Sequence, residues 1–275
     1  MLDGSLAYDL FAVVGAPKAV TTSLHHYLGQ HTDVCMSIPK EPHFFDVFYS
    51  MGAKAYIKDC FAHRAGQLVV GECTTSSLAL PFVPARIRAA FPEARIVACL
   101  REPLDRAYSA WRMHQRDGTE SRSFEQAIQD NAERLHSGFH WHGEDGAARW
   151  RFMFEQYVRY GRLPAPTYLE FGQYGPQLQR YLEYFPRDQL AVVLFEGLRR
   201  DTEQVVRRIW EFLELDPGIV RRLDLEPRNM ANSPKRPPNL PVGLKEWVAR
   251  YYRDSNQLVE ELLGIDVSAW ATCLS

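Results

Sequence analysis

A chain of 275 residues, 46% of them hydrophobic, is long enough to bury one sizeable core. Its formal net charge of −2 provides no global field for nucleic acid or an acidic membrane surface, and no run approaches the roughly 18 consecutive apolar residues of a transmembrane span. The five cysteines are odd in number and scattered, the pattern of reduced cytoplasmic thiols rather than a disulfide framework, and the opening MLDGSLAYDLFAVVGAPK lacks the basic region of a signal peptide.

The first predicted element is a strand, Leu10 to Val14, which stops at Gly15 in a Gly-Ala-Pro-Lys turn. The spacing then predicts a helix from Thr21 to Gly29, whose first turn offers unpaired amides and the positive end of a dipole. Lys18 adds a full charge, Ala19 and Val20 supply loop backbone, and Thr21, Thr22 and Ser23 add hydroxyls. This suits an anion, but it is not the ATP loop: the lysine comes straight after Pro17, and no Gly-Lys-Ser/Thr occurs. A turn with threonine caps and no ligand has the same composition, so this segment alone leaves both readings open.

Further along, a strand is predicted at Leu68 to Gly71, a helix at Pro84 to Phe91, and a strand at Arg95 to Leu100. Arg101 ends that strand, and Pro103 suits the first turn of a helix over Leu104 to Gln115. Arg101 and Ser109 then converge near the sheet's carboxyl edge, with Arg106 a third contact or a salt-bridge partner and His114 facing the cleft; a solvated basic helix face is the alternative. A helix at Phe124 to Leu135 precedes an aromatic-rich segment, Gly138 to Thr167, read as a lid over the acceptor. Within and beside it, His136, His140 and His142 interleave with Phe139 and Trp141. H-x-H spacing without a third ligand does not make a metal site, and Trp141 is read instead as part of an acceptor wall.

Helices at Tyr174 to Tyr184, Thr202 to Leu213 and Val242 to Leu263, with a strand at Leu190 to Phe195, complete the chain. Their apolar stripes (Ile209, Phe212, Leu213; Trp247, Tyr251, Leu258, Leu262) are core faces. The alternation predicts an α/β fold of three layers around a short parallel sheet, with binding at the strands' carboxyl ends. It is expected to form one domain over residues 1–275, with a helical or lid insertion around 115–170.

Together, PKAVTTSL (Pro17 to Leu24) and LREPLDRAYS (Leu100 to Ser109) resemble the two phosphosulfate-binding motifs of the sulfotransferases that use 3′-phosphoadenosine 5′-phosphosulfate (PAPS). A third segment, PKEPHFFD (Pro39 to Asp46), resembles the K-E-x-H-F-F-D signature of the heparan-sulfate-type branch and its bacterial relatives, and GECTTSSL, FGQYGPQLQRYLEYFP, LAVVLFEGLRRD and NSPKRP extend the similarity over nearly the whole chain. The resemblance implies a P-loop-like fold. It further implies a 5′-phosphosulfate held by Lys18 to Ser23, a 3′-phosphate held by Arg101 and Ser109, and Glu41 as the base that takes the acceptor's proton. Lys235 and Arg236, in a Pro-rich loop with Arg228 and Asn229, match a segment that closes over the nucleotide in the family; a solvated charge run is the alternative. Lys40 serves the sulfuryl group or the surface. His43 orients Glu41, touches the acceptor, or packs structurally beside Phe44.

Two departures stand out. The family glycine after P-K-x is Val20, which is strained if that position has positive φ and harmless if it is already helical; the helical case is the expectation. Glu72-Cys73-Thr74-Thr75 replaces the Glu-Lys-Thr-Pro of the heparan branch, and weakens the case for a sulfated-glycan acceptor. The implied activity is sulfuryl transfer from PAPS, releasing 3′,5′-ADP (PAP), to a hydroxyl or an amine of a small-molecule, glycoside or natural-product acceptor, without a metal. A cytoplasmic enzyme of bacterial type is expected, with its oligomeric state open. A P-loop kinase and a non-catalytic PAP-binding protein are the alternatives.

Overall fold

The computed structural model describes residues 9–136, 145–160, 167–226 and 237–273. Five parallel strands form one sheet in the order β2-β3-β1-β4-β5, made of β1 (Asp9–Gly15), β2 (Val34–Met36), β3 (Val69–Glu72), β4 (Arg95–Leu100) and β5 (Leu190–Leu194). Every pairing is parallel, so each connection must cross the sheet, and helices cover both faces.

Alternation along the strands divides the core. Leu10, Ala12 and Val14 of β1 enter one apolar cluster, and Phe11 and Val13 enter another on the opposite face. The second cluster is closed by α1 (Thr21–Leu28) and α9 (Thr202–Phe212), whose Trp210 is fully buried and donates its indole N–H to the Leu28 carbonyl at 3.3 Å. The first is closed by α3 (Val83–Ala90), α7 (Tyr174–Tyr184) and part of α10 (Val242–Leu263). A third cluster joins α4 (Pro103–Arg116), α5 (Phe124–His136) and α10, where the Tyr252 hydroxyl donates to the Leu169 carbonyl at 2.8 Å. The remaining helices are α2 (Ala53–Cys60), α6 (Gly146–Tyr160) and α8 (Phe195–Arg200).

Close packing under the sheet's carboxyl edge leaves no room for a side chain at Gly15: a Cβ there would sit 2.9 Å from both Leu78 Cβ and the Thr75 carbonyl oxygen. The Leu78 N–H donates to the Val14 carbonyl at 2.7 Å, and the Ala16 N–H to the Cys99 carbonyl at 2.6 Å. β1 therefore ends pinned on both sides, which fixes where the following loop begins.

β2, α2 and α8 are additional to the sequence expectation, and part of the segment expected as a lid is the regular helix α6. A further departure is local. Val20 is not helical: it stands just before α1 at φ 65°, ψ 20°, in the left-handed region. Its carbonyl already accepts the first helical bond, from the Leu24 N–H at 3.0 Å. Lys18, at φ 70°, is also left-handed, so the chain turns twice before the helix starts, and the glycine-like position is occupied by a β-branched residue.

That conformation costs an L-residue roughly 1–2 kcal/mol, a cost glycine avoids. Val20 recovers part of it by packing against the second core cluster. Val20→Ala discards the packing and keeps the strain, whereas Val20→Gly discards both. Thermal unfolding should therefore rank Val20→Gly above Val20→Ala, the reverse of the order in a helix interior; a more stable alanine variant would mean that the position is unstrained.

Candidate active site

The loop after β1 and the end of β4 meet directly. Arg101, immediately beyond β4, donates from Nη1 to the Lys18 carbonyl at 3.1 Å, and its guanidinium lies 4.6 Å from the centre of the Phe195 ring. Lys18 Nζ reaches Met113 Sδ of α4 at 3.4 Å. Burial pushes the Lys18 pKa down, and the positive charges of Arg116, Arg101 and Arg106 push the same way, against Asp117 alone. Arg101 is likewise lowered by burial, and its buried Nε finds no partner among the described residues. Val20 gives the first turn of α1 no side-chain cap, and the amides of a helix's first turn have no intrahelical partner. Crowded cations beside a helix N-terminus form a place where an anion relieves repulsion as well as bonding. Phosphate groups of a nucleotide donor fit this donor set.

Ser109 sits half-buried in α4. Arg106 is almost wholly buried, and its Nη2 donates to the Tyr168 carbonyl; it ties α4 to the segment before α7. His114 is buried as well, with Nδ1 3.1 Å from the Thr119 hydroxyl and its ring centre 6.0 Å from that of Tyr168. Burial lowers its pKa, and Lys18 adds to the effect. Thr21 and Ser23 are buried, and the Thr21 carbonyl accepts from Cys73 Sγ at 3.6 Å. Trp141, His140, His142, Arg228, Asn229, Lys235 and Arg236 lie outside the described residues. His136 packs its ring near Trp247 and holds the Ala132 carbonyl at 2.8 Å from Nδ1.

The second half of the site is the loop after β2. His43 is left-handed, at φ 51°, and caps a π-helical turn, Phe44–Phe48. The Val47 and Phe48 amides both donate to the His43 carbonyl, at 3.0 and 2.9 Å. This turn buries Phe44, Phe45, Asp46 and Val47 together, and it curls the chain so that residues two and five past Glu41 face one another. Lys40 Nζ donates to Glu41 Oε1 at 2.6 Å. His43 lies with Nε2 3.8 Å from Glu41 Oε2 and Nδ1 2.9 Å from Asp46 Oδ2. Asp46 Oδ2 also accepts from the Ser76 hydroxyl at 2.7 Å and from the Trp150 indole at 3.0 Å. Burial disfavours the charged ring of His43, but the Asp46 bond and the surrounding carboxylates outweigh it and raise its pKa. Lys40 is raised in the same way: burial opposes its charge, and Cys73, Glu41 and Glu72 outweigh burial.

Asp46 is the residue that sequence reasoning passed over. It is fully buried at the end of the quoted KEPHFFD segment, and a carboxylate between two phenylalanines and a valine was the available signal, because buried charge demands partners.

A second carboxyl lies behind it. Glu72, at the end of β3 and level with Ala12 of β1, is fully buried; Thr74 donates to its Oε2 at 2.5 Å and its Oε1 has no partner among the described residues. Burial raises its pKa to about 8, helped by the Asp46 and Glu41 charges and opposed by the Thr74 bond and His43.

The cationic half follows β1 and β4, and the carboxylate half follows β2, in one parallel sheet. The chain matches the family model described as "Sulfotransferase domain" over residues 9–228, and it belongs to that family. A crystal structure of a sulfotransferase from Alicyclobacillus acidocaldarius aligns over 96% of this chain and 99% of its own, with 30% identity and a TM-score of 0.72. Human heparan sulfate glucosamine 3-O-sulfotransferase 6 is 26% identical over 92% of this chain and 71% of its own. The membrane-associated sulfotransferase kil1 of Dictyostelium discoideum is 22% identical over 93% of this chain, which spans 65% of that relative's length. No helix among the described residues is long and apolar enough to cross a membrane.

The buried Glu72 makes stability depend on pH. Its folded pKa lies above its unfolded one, so the folded state holds the extra proton between about pH 4.5 and 8 and loses stability as pH rises through that window. The loss is up to about 1.4 kcal/mol per pH unit. Glu72→Gln, which keeps an acceptor for Thr74 and cannot ionise, should flatten the decline. Urea unfolding at pH 5 and pH 8 checks this; parallel wild-type and variant profiles would mean that Glu72 is ionised throughout.

Proposed function

We propose that this chain transfers the sulfuryl group of PAPS to an acceptor hydroxyl, releasing PAP, with Glu41 as general base. The carrying observation is the Arg101–Lys18 contact, which joins the two anion-binding segments of the sequence into one cationic site.

Sulfuryl transfer resembles phosphoryl transfer in needing in-line oxygens and stabilised charge more than covalent help. When bound, the donor supplies an activated sulfuryl group on a phosphate leaving group. Lys18 and the first-turn amides of α1 would hold the 5′ side and stabilise charge on the leaving phosphate oxygen, while Arg101 and Ser109 would hold the 3′-phosphate. The left-handed backbone at Val20 supports this reading, since the loop follows the course a glycine would allow. Glu41 takes the acceptor's proton. Asp46 is a positioning residue: its bond to Nδ1 leaves Nε2 of His43 facing Glu41. The heparan-type relatives and the bacterial structure support the reaction class; a small-molecule or glycoside acceptor is this proposal's own.

Thermal shift tests the donor half. PAP at 100 times its Kd should stabilise the protein by about 2.7 kcal/mol without magnesium, and ATP-magnesium should not. Arg101→Ala should weaken PAP binding by roughly 2–3 kcal/mol, as loss of charge-assisted bonds to phosphate does; undiminished affinity would remove Arg101 from the site. Glu41→Gln should keep PAP affinity while transfer falls by about 10²-fold or more. Full turnover in that variant would sink the base assignment.

A further inference from the structure

Lys18 carries the 5′ side of the donor site proposed above, and its own partner in the structure is a sulfur. Among the described residues its Nζ has one hydrogen-bond acceptor, Met113 Sδ of α4, at 3.4 Å. A thioether is a weak acceptor. The ammonium is partly desolvated and stands among the charges of Arg116, Arg101 and Arg106, with Asp117 alone opposing them. So weak a bond to an uncharged sulfur yields readily when a phosphate arrives. A stronger acceptor at the same point would compete with the phosphate instead.

Oxidation creates such an acceptor. Met113 is partly open to solvent, whereas Met36 and Met153 are buried. A sulfoxide oxygen is attached to the very atom that Lys18 already touches, and it turns an apolar side chain into a polar one. The thiols compete poorly for an oxidant, because the thiolate is the reactive form. Burial pushes the pKa values of Cys35, Cys60, Cys73, Cys99 and Cys273 up and keeps them protonated. Met51, 44% exposed in the turn Tyr49–Met51, is the other open methionine among the described residues.

From this contact we propose that Met113 is a modification site, oxidised by peroxide to the sulfoxide, whose oxygen captures Lys18 and weakens the 5′ side of the donor site. The proposal rests on the PAPS reading above and adds a form of regulation to that site. One oxygen atom passes from the peroxide to Sδ: the O–O bond breaks, an S–O bond forms, the sulfur gives up two electrons, and hydrogen peroxide leaves as water. The Lys18 ammonium then donates to the sulfoxide oxygen, which the neighbouring arginines also stabilise, and is withheld from the phosphate. A methionine sulfoxide reductase reverses the step with two electrons from thiols and releases the oxygen as water. The weak contact, and with it the donor site, is then restored.

The test treats the full chain with hydrogen peroxide, maps its methionines by mass spectrometry, and titrates PAP before and after. The expected result is oxygen added at Met113, PAP affinity lowered by about tenfold as one charge-assisted bond is lost, and recovery after both stereospecific reductases. Met113→Leu should keep its own untreated affinity through the same exposure, and Met51→Leu should respond as the wild type does. Met113→Gln, whose amide oxygen places a permanent acceptor beside Lys18, should bind PAP about tenfold more weakly than Met113→Leu without any oxidant. In Lys18→Ala, oxidation of Met113 should leave the remaining PAP affinity unchanged, since the two changes act through one contact. Affinity that survives complete oxidation of Met113 overturns the proposal. So does an equal loss in Met113→Leu or Lys18→Ala, or a Met113 that stays reduced while Met51 is fully oxidised. Absence of PAP binding by the untreated protein would instead bring down the donor reading itself.

Discussion

The site depends on two strands lying side by side with their carboxyl ends together. β1 and β4 are neighbours in the middle of the sheet, and parallel pairing sends both following loops out at the same edge. Gly15 permits the tight exit from β1, Pro103 opens α4 directly after β4, and the Arg101 guanidinium closes the gap onto the Lys18 carbonyl. Without that adjacency, Lys18 and Arg101 would be two separate surface charges. With it, they form a shared and partly desolvated cationic site in which burial, and then the Arg116 and Arg101 charges, lower the Lys18 pKa.

Around the partly exposed Glu41, the supporting carboxyls Asp46 and Glu72 are buried. Asp46 accepts three hydrogen bonds on a single oxygen, from His43, Ser76 and Trp150, which belong to three different segments of the chain. A buried carboxylate is retained at this cost only where its partners are held by the surrounding packing. Here the packing is the π-helical turn with its Phe44 and Phe45 rings against Tyr56 of α2, Phe44 stacked on Tyr56 at 4.3 Å. Asp46 and His43 therefore share one rigid unit, and the orientation of His43 toward Glu41 follows from core packing, not from a loop's choice of rotamer.

Much of this was legible in the sequence. The four predicted strands and the helices at Thr21, Leu104, Tyr174 and Thr202 rest on apolar periodicity and Pro or Thr signals, and the structure has elements at each. β2 escaped notice because a three-residue strand, Val34–Met36, is shorter than any periodicity can register. α6 was hidden because its sequence, GAARWRFMFEQYVRY, mixes aromatics and arginines around the whole helix, with only Gly146, Trp150 and Met153 buried. The π-helical turn has no sequence signal of its own: i to i+5 bonding depends on what the turn packs against. Lys18 and Arg101 were singled out from their motifs and Glu41 from the family resemblance, whereas the burial of Asp46 and Glu72 is visible only in the structure.

Val20 shows why the last part of a site resists reading from sequence. Propensity favours placing a valine before Thr-Thr-Ser inside or beside the helix, where its branched side chain costs little. The structure instead keeps the left-handed turn and accepts the strain, because the two ends of the loop are already fixed, at one end by the Ala16–Cys99 hydrogen bond and at the other by the α1 packing against β1 and α9. Moving Val20 into the helical region would rotate the Lys18 carbonyl away from Arg101 and carry the first-turn amides with it. Local strain of about 1–2 kcal/mol is small beside the loss of that junction, so tertiary geometry decides the backbone and the residue adapts. The side chain then becomes useful in its own right, since only a residue larger than glycine can reach from this turn to the core under α1.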